Sequence, residues 1–238
     1  YMQPGTYDVT LTVTNSAGSN TLTKSNYITI SSLNAEMTGP YFQNFESEAF
    51  PTFENSPAAS WTISGNITDS WERATNASSP NLSPIDNGNN SASFRVRSLE
   101  FIDAGETHTL MTPGIDLSDL DAPVRAYFDL AYAKRSGNTS DILEVHVSDD
   151  CGRTWSKRWD RECNEDTDDL STNGGGNVVF PYTPSSAHWE QQNVNINNYA
   201  GRSNVSLKFV FSGSGGNWLY IDNFVVAETA SIGTFSSG

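Results

Sequence analysis

The chain has 238 residues, with 28 Asp or Glu against 13 Lys or Arg, a formal charge of −15. Such a surface repels nucleic acid and anionic membranes and suits cations such as calcium. There is no run of eighteen apolar residues and no charged-then-apolar amino-terminal segment, so neither a membrane span nor a signal peptide is expected, and any targeting signals would lie elsewhere in a longer precursor.

Short apolar runs alternate with turns rich in Gly, Ser, Asn and Thr, and no stretch sustains apolar spacing of three and four. That pattern predicts an all-β protein. In residues 4–14, Tyr7, Val9, Leu11 and Val13 fall on one face of a strand, Asn15 to Ser19 makes a turn, and Thr21 to Ile30 returns as a second strand. A lone hairpin is marginal in water, so this one belongs to something larger. The run Pro4-Gly5-Thr6-Tyr7-Asp8-Val9-Thr10-Leu11-Thr12-Val13-Thr14-Asn15, followed by Gly18, resembles the closing strands of a polycystic-kidney-disease-type (PKD) repeat, an immunoglobulin-like sandwich. The resemblance implies that 1–30 is the end of such a domain, whose other strands would precede Tyr1.

Residues 31–40 are polar and end in Gly39-Pro40, which reads as a linker. Strands are then expected at 41–46, 59–63, 92–97, 107–112, 124–132, 141–147, 153–159, 187–196, 205–211 and 217–226. Strands in that number, separated by Gly- and Asn-rich turns, fit a two-sheet jelly-roll sandwich over 41–226, with 227–238 as a tail or linker. Two stretches, 64–91 and 160–186, show no strand signal and read as long loops, which in a compact domain are functional or braced.

The last strand carries one carboxylate, Asp222, among Trp218, Tyr220, Ile221 and Phe224. An acid so placed needs a partner. Glu46, at the end of the first jelly-roll strand, can reach it where first and last strands are neighbours, and a calcium ion would resolve the repulsion of the two like charges. Hydrogen bonding of both acids to turns is the plainer alternative, and a glycosidase-type carboxylate pair the sharper one. Cys151 and Cys163 could close a hairpin-sized loop worth about 3 kcal/mol as a disulfide, free thiols being the alternative. A zinc site is not expected from two Cys and three His.

Ser148-x-Asp150-x-Gly152-x-Thr154-Trp155 fits the Asp-box pattern, in which side chains satisfy a tight turn over a packed Trp. Asp160, Glu162, Glu165, Asp166, Asp168 and Asp169 lack EF-hand spacing and read as a solvated loop, a second calcium site being the alternative. If any Trp stacks on a ligand, Trp159 and Trp218 are favoured by the charged or Gly-rich loops beside them. No metalloprotease helix motif, nucleophile elbow, phosphate loop or Cys–His pair is present.

From 41 to 226 the order of signals resembles the MAM-like, or choice-of-anchor J (cleaved-adhesin), jelly rolls of Bacteroidetes secreted proteins. The resemblance rests on Asn44-Phe45-Glu46, Asn90-Ser91-Ala92-Ser93-Phe94, Leu110 to Ser118, Leu143 to Trp155, Tyr199-Ala200-Gly201 and Leu219-Tyr220-Ile221-Asp222-Asn223. The Cys151-Gly152-x-Thr154-Trp155 form is most similar to the domain that follows the catalytic unit of pappalysin-type zinc metalloproteases. It implies a structural Ca2+ held by Glu46 and Asp222, with oxygens from Asp86, Asn87, Asn90 and Ser93. It also implies a non-catalytic adhesion or docking region of a secreted or surface-anchored protein, exported by a type IX system. Its partners would be a protein or polysaccharide outside the cell and the other domains of the precursor. A carbohydrate-binding module, or a spacer or subunit in a surface assembly, are the competing expectations.

Overall fold

The computed structural model describes residues 5–53, 59–64, 71–81, 90–98, 106–135, 141–163, 169–179, 181–213 and 215–229. Strands β1 (Gly5–Asn15) and β2 (Gly18–Ile30) form a hairpin, followed by β3 (Met37–Thr38), β4 (Tyr41–Gln43), β5 (Thr62–Ser64), β6 (Trp71–Ala74), β7 (Ser93–Arg97), β8 (Glu106–Met111) and β9 (Ile115–Asp116). The series continues with β10 (Val124–Ala131), β11 (Asp141–Ser148), β12 (Ser156–Cys163), β13 (Glu190–Asn195), β14 (Ser206–Gly213) and β15 (Trp218–Glu228).

Two antiparallel sheets stack into a sandwich. The six-stranded sheet runs β13-β10-β15-β7-β6, with β4 also on β15, and the five-stranded sheet runs β12-β11-β14-β8-β5. From β10 onward the chain passes between the sheets repeatedly, the jelly-roll winding. Alternation decides which side chains fill the space between. Phe94, Val96, Phe128, Leu130, Leu219, Ile221 and Phe224 point inward from the first sheet, and Leu110, Leu143, Val145, Leu207, Phe209 and Phe211 from the second.

The outer faces of the two sheets differ. Ala74, Ala77, Ala131, Ala133, Tyr182, Trp189 and Tyr220 form a second apolar cluster outside the six-stranded sheet, where the segments around Ala77 and Tyr182 lie over it. The outer face of the five-stranded sheet is crossed by half-buried and exposed polar rows instead. One row is Thr62, Met111, Lys208, His146 and Lys157, and the next Ser64, Thr109, Val210, Glu144 and Asp160.

The strand map departs from the sequence reading in instructive places. The loop expected over 64–91 contains β6, whose Trp71-Glu72-Arg73-Ala74 is too short to show alternation. The expected strand 153–159 begins and ends later, as β12, because the Asp-box turn occupies its first residues. The stretch read as a linker contributes β3, which pairs in parallel with β9, Met37 to Ile115. The backbone amide of Glu36 also donates to the Gly114 carbonyl at 3.1 Å, so this segment is tied to the sandwich.

The hairpin is two-faced. Thr10 with Thr23, Thr12 with Thr21, and Thr14 with Ser19 form hydroxyl pairs at 2.9, 3.0 and 2.8 Å. Leu11 and Leu22, directly opposed, are each 61% exposed on the apolar face.

Candidate functional site

β15 changes neighbours in its middle. Trp218 to Ile221 pair with β7, and Phe224 to Val226 pair with β4. Between them Asn223 adopts a left-handed φ of 49°, opposite a bulge between Tyr127 and Asp129 on β10. Asp222 therefore stands where the end of β4 and the start of β7 meet. This brings the segment 77–81, to which Asn90 is bonded, against Asp222, while Glu46 stays at the entry to β7.

The direct cross-strand partner of Asp222 is Asp129. Both acids are buried on the outer face of the six-stranded sheet, at 0% and 1% exposure. The segment 77–81 closes over them: the Ser79 amide donates to Asp222 Oδ2 and the Ser79 hydroxyl to Asp129 Oδ2, each at 2.7 Å. Asn223 Nδ2 donates to Asp129 Oδ2 at 3.0 Å and to the Asn81 carbonyl at 2.7 Å. Asp129 Oδ1 and Asn223 Oδ1 are buried without a hydrogen-bond partner among the described residues. The carbonyls of Ser79 and Asn81, in the same covering segment, accept from Asn90 Nδ2, and that of Asn81 also from Asn223 Nδ2.

The expected ligands divide into two groups around this pair. Asn90 Nδ2 donates to the carbonyls of Ser79 and Asn81, bracing the covering segment. Ser93, fully buried, donates to the Ala77 carbonyl at 2.8 Å. Glu46 instead caps the entry to β7: its carboxylate accepts from the amides of Ser91 and Ala92 at 2.7 and 2.8 Å and from the Ser91 hydroxyl at 2.8 Å. Arg73 reaches the Phe45 and Glu46 carbonyls at 2.8 and 2.9 Å, holding Phe45 at its left-handed φ of 57°. Among the described residues no three of His, Cys, Asp and Glu converge on one point, so Glu46 does not join Asp129 and Asp222 in one acidic cluster. Asp86 and Asn87 lie outside the described residues.

Asp129 went unnoticed in the sequence although its signal was equivalent: one acid inside Val124-Arg125-Ala126-Tyr127-Phe128-Asp129-Leu130-Ala131.

The cysteine expectation is corrected. Cys163 pairs with Asp141 at the start of β11, whereas Cys151 lies three residues beyond the other end of that strand. At about 3.3 Å per residue along the strand the two Cα atoms are roughly 20 Å apart, against a bridging limit near 7 Å. No disulfide joins Cys151 to Cys163.

Of the two tryptophans favoured for stacking, one is buried and the other half-buried. Trp159 faces the core at 9% exposure, edge-on to Phe128 with centroids 5.3 Å apart, and cannot serve as a platform. Trp218 is half-buried, with the Arg95 guanidinium 4.1 Å from its ring. In the acidic loop, Asp169 accepts from the Glu162 amide at 2.7 Å and closes the end of β12; Glu165, Asp166 and Asp168 lie outside the described residues.

The Asp-box geometry is present in full. Asp150 accepts from the Thr154 amide and hydroxyl at 2.9 and 2.7 Å and from the Ser148 hydroxyl at 2.8 Å. Trp155 Nε1 donates to the Gly152 carbonyl at 3.0 Å, locking the ring against the turn. The Thr154 hydrogen bonds, then that of Ser148, hold the Asp150 carboxyl down at about 2. A group depressed in the folded state contributes stability above its unfolded pKa of about 4 and loses it as pH falls toward 2. Asp150→Asn should therefore flatten the fall in thermal midpoint between pH 4 and pH 2 relative to wild type; equal slopes would show that the turn does not carry the charge.

No family model matches the chain, and no curated protein matches it. Among solved structures, a cleaved-adhesin domain of Lys-gingipain from Porphyromonas gingivalis aligns with a TM-score of 0.46 at 14% identity, over 79% of this chain and 98% of that one. A second cleaved-adhesin domain of Lys-gingipain gives 0.46 at 17% identity with the same coverage. A carbohydrate-binding module solved in complex with β-1,4-galactotriose gives 0.42 at 15% identity, over 78% of this chain and 99% of that one.

Proposed function

We propose that this chain is a non-catalytic, extracellular binding module, stabilised by calcium, whose ligand surface is the outer face of the five-stranded sheet. The observation that carries the reading is the asymmetry of the two outer faces. One is covered by an apolar cluster, and the other presents polar rows across five strands, with Trp155 and Lys208 at one end. A flat sheet face lined by half-buried polar groups suits an extended polymer, a polysaccharide or an extended protein segment.

Calcium would be held by Asp129 and Asp222, with Asn223 Oδ1 and the carbonyls of Ser79 and Asn81 completing the set, and Glu46 and Asn90 bracing the segments around it. When bound, the ion supplies charge neutralisation and ties 77–81 to β10 and β15. The finer reading follows the resemblance of Leu143 to Trp155: an adhesion or docking region beside a secreted zinc metalloprotease, carried to the cell surface by a type IX system. Residues 1–30 would then close an immunoglobulin-like repeat. The exposed Leu11, Val13 and Leu22 favour that placement, because other strands of such a repeat would cover them.

The test is a solid-phase screen against immobilised polysaccharides and extracellular-matrix proteins, wild type beside Val210→Arg. Val210 is half-buried on the outer face, in the row with Thr109 and Glu144. Binding should fall at least tenfold in the variant at an unchanged thermal midpoint. Full binding by the variant would remove this face from the function.

A further inference from the structure

At one end of the open face lies a polar pocket of about 220 Å³, closed on its far side by the end of the hairpin. Its floor comes from the sheet: Thr62 opposite Met111, Ser64 opposite Thr109, and Lys208 opposite Met111. The hydroxyls of Ser64 and Thr109 hydrogen-bond to each other, which fixes both toward the cavity. Thr29 and Ser31 add hydroxyls from the hairpin side, and Trp155 forms a wall.

The cation in this pocket stands apart from its neighbours. Lys208, His146 and Lys157 share one cross-strand row, and the last two meet one acid: Glu144 lies 2.7 Å from His146 Nε2 and 3.2 Å from Lys157 Nζ. Those two partners outweigh the effect of partial burial and hold the Glu144 carboxyl below its ordinary value. Lys208 forms no ion pair among the described residues. Its ammonium sits 4.3 Å from the centroid of the Trp155 ring. Partial burial pushes its pKa down, and the more distant Glu144 only partly offsets this. The site thus holds a partly desolvated ammonium, an aromatic ring and a set of hydroxyls in a space that fits about one sugar ring, below the roughly 300 Å³ at which drug-sized pockets begin. A neutral sugar would use the hydroxyls and leave the ammonium unmatched. A carboxylate on the ring would give Lys208 the charge-assisted hydrogen bond it lacks.

We infer that this pocket recognises a uronic-acid residue of an acidic polysaccharide, its carboxylate on Lys208 Nζ and its ring hydroxyls on Ser64, Thr109 and Thr62. The inference rests on the reading of the open face as the ligand surface and names the ligand class for one end of it. The net charge of −15 opposes any anionic ligand at long range. Long-range repulsion disfavours polyanions in general, so binding depends on the local Lys208 contact.

The experiment is titration calorimetry of the full chain in calcium with trigalacturonate, with β-1,4-galactotriose as the uncharged probe and sodium acetate as the carboxylate without a sugar. Trigalacturonate should bind, galactotriose at least tenfold more weakly, and acetate not measurably. Lys208→Met, which keeps the stem over Trp155, should weaken trigalacturonate at least tenfold, and Thr109→Val should weaken it severalfold, each at an unchanged thermal midpoint. Absence of trigalacturonate binding, equal binding by Lys208→Met, equal binding of galactotriose, or acetate competing as well as the sugar would each overturn the inference. If trigalacturonate fails while Val210→Arg still abolishes capture in the solid-phase screen, only the uronate assignment falls. If Val210→Arg has no effect in that screen, the reading of the face falls with it.

Discussion

Adding calcium to protein stripped with chelator should raise the unfolding midpoint by roughly 5–10 °C, and Asp129→Asn should abolish the rise. A ligand bound to the native state alone at a hundredfold its Kd contributes about 2.7 kcal/mol, and each kcal/mol moves the midpoint of a domain this size by about 2–4 °C. The sign of the Asn effect discriminates between readings. In chelator, Asp129 and Asp222 face each other across β10 and β15 with neutral donors around Asp129, so removing one charge relieves repulsion. The variant should then be as stable as wild type, or more so, without calcium, and less stable with it. Loss of midpoint by the same amount in both conditions would show that Asp129 serves only as a hydrogen-bond acceptor for Ser79 and Asn223, and would sink the calcium reading. Glu46→Gln makes the companion measurement. Its carboxylate is taken up by the Ser91 and Ala92 amides, so the variant should weaken the start of β7 with or without the ion.

How much of this could be read in advance depends on the range over which each signal acts. Alternation is local, and it predicted the strands at 124–132, 141–147, 205–211 and 217–226, which the structure places at the centre of the two sheets. It also marked Asp222 as an acid out of place. It marked Asp129 equally, but that residue gained meaning only through strand pairing, which local pattern does not carry. The cysteines failed for a related reason. Eleven residues lie between them, a spacing that fits a bridge across a short loop. With β12 running out to Cys163, the same residues span a whole strand and part the thiols. Trp159 shows the effect of a single irregularity. The bulge between Val145 and His146 shifts the register of β12 so that Trp159 lies beside Val145 in the core, while Lys157 lies beside His146 outside. The open face was legible only in fragments. The row Thr62, Met111, Lys208, His146 and Lys157 draws on five separate strands, and nothing in any one of them marks it.

Phe209→Ala should cost about 3–5 kcal/mol, read as a lowered urea midpoint at an unchanged m value. Phe209 is fully buried at the centre of β14. Its ring meets Phe128 edge-on at 5.1 Å and Phe224 at 5.7 Å from the six-stranded sheet, and it stacks on Trp61 at 6.5 Å. Trp71 lies at 6.5 Å on β6. One side chain thus touches both strands of the β10–β15 ladder that carries Asp129 and Asp222, as well as Trp61 and Trp71 from the first part of the sandwich. Its truncation leaves a cavity walled by rings, whose rigid shapes cannot collapse into it, which places the expected cost in the upper range for a core substitution. Native domains hold only about 5–15 kcal/mol in total, so the variant should also expose the calcium linkage more plainly, with a larger fraction unfolded in chelator and rescue on adding the ion. Phe209→Leu, which keeps most of the volume, should cost less than half as much. Ser212→Ala, one turn of the pleat away on the outer face, should change stability by less than about 0.5 kcal/mol. A cost below about 1 kcal/mol for Phe209→Ala would mean that the sheets are not packed around this ring, because burial of a Phe among close-packed neighbours leaves no route to so small a loss.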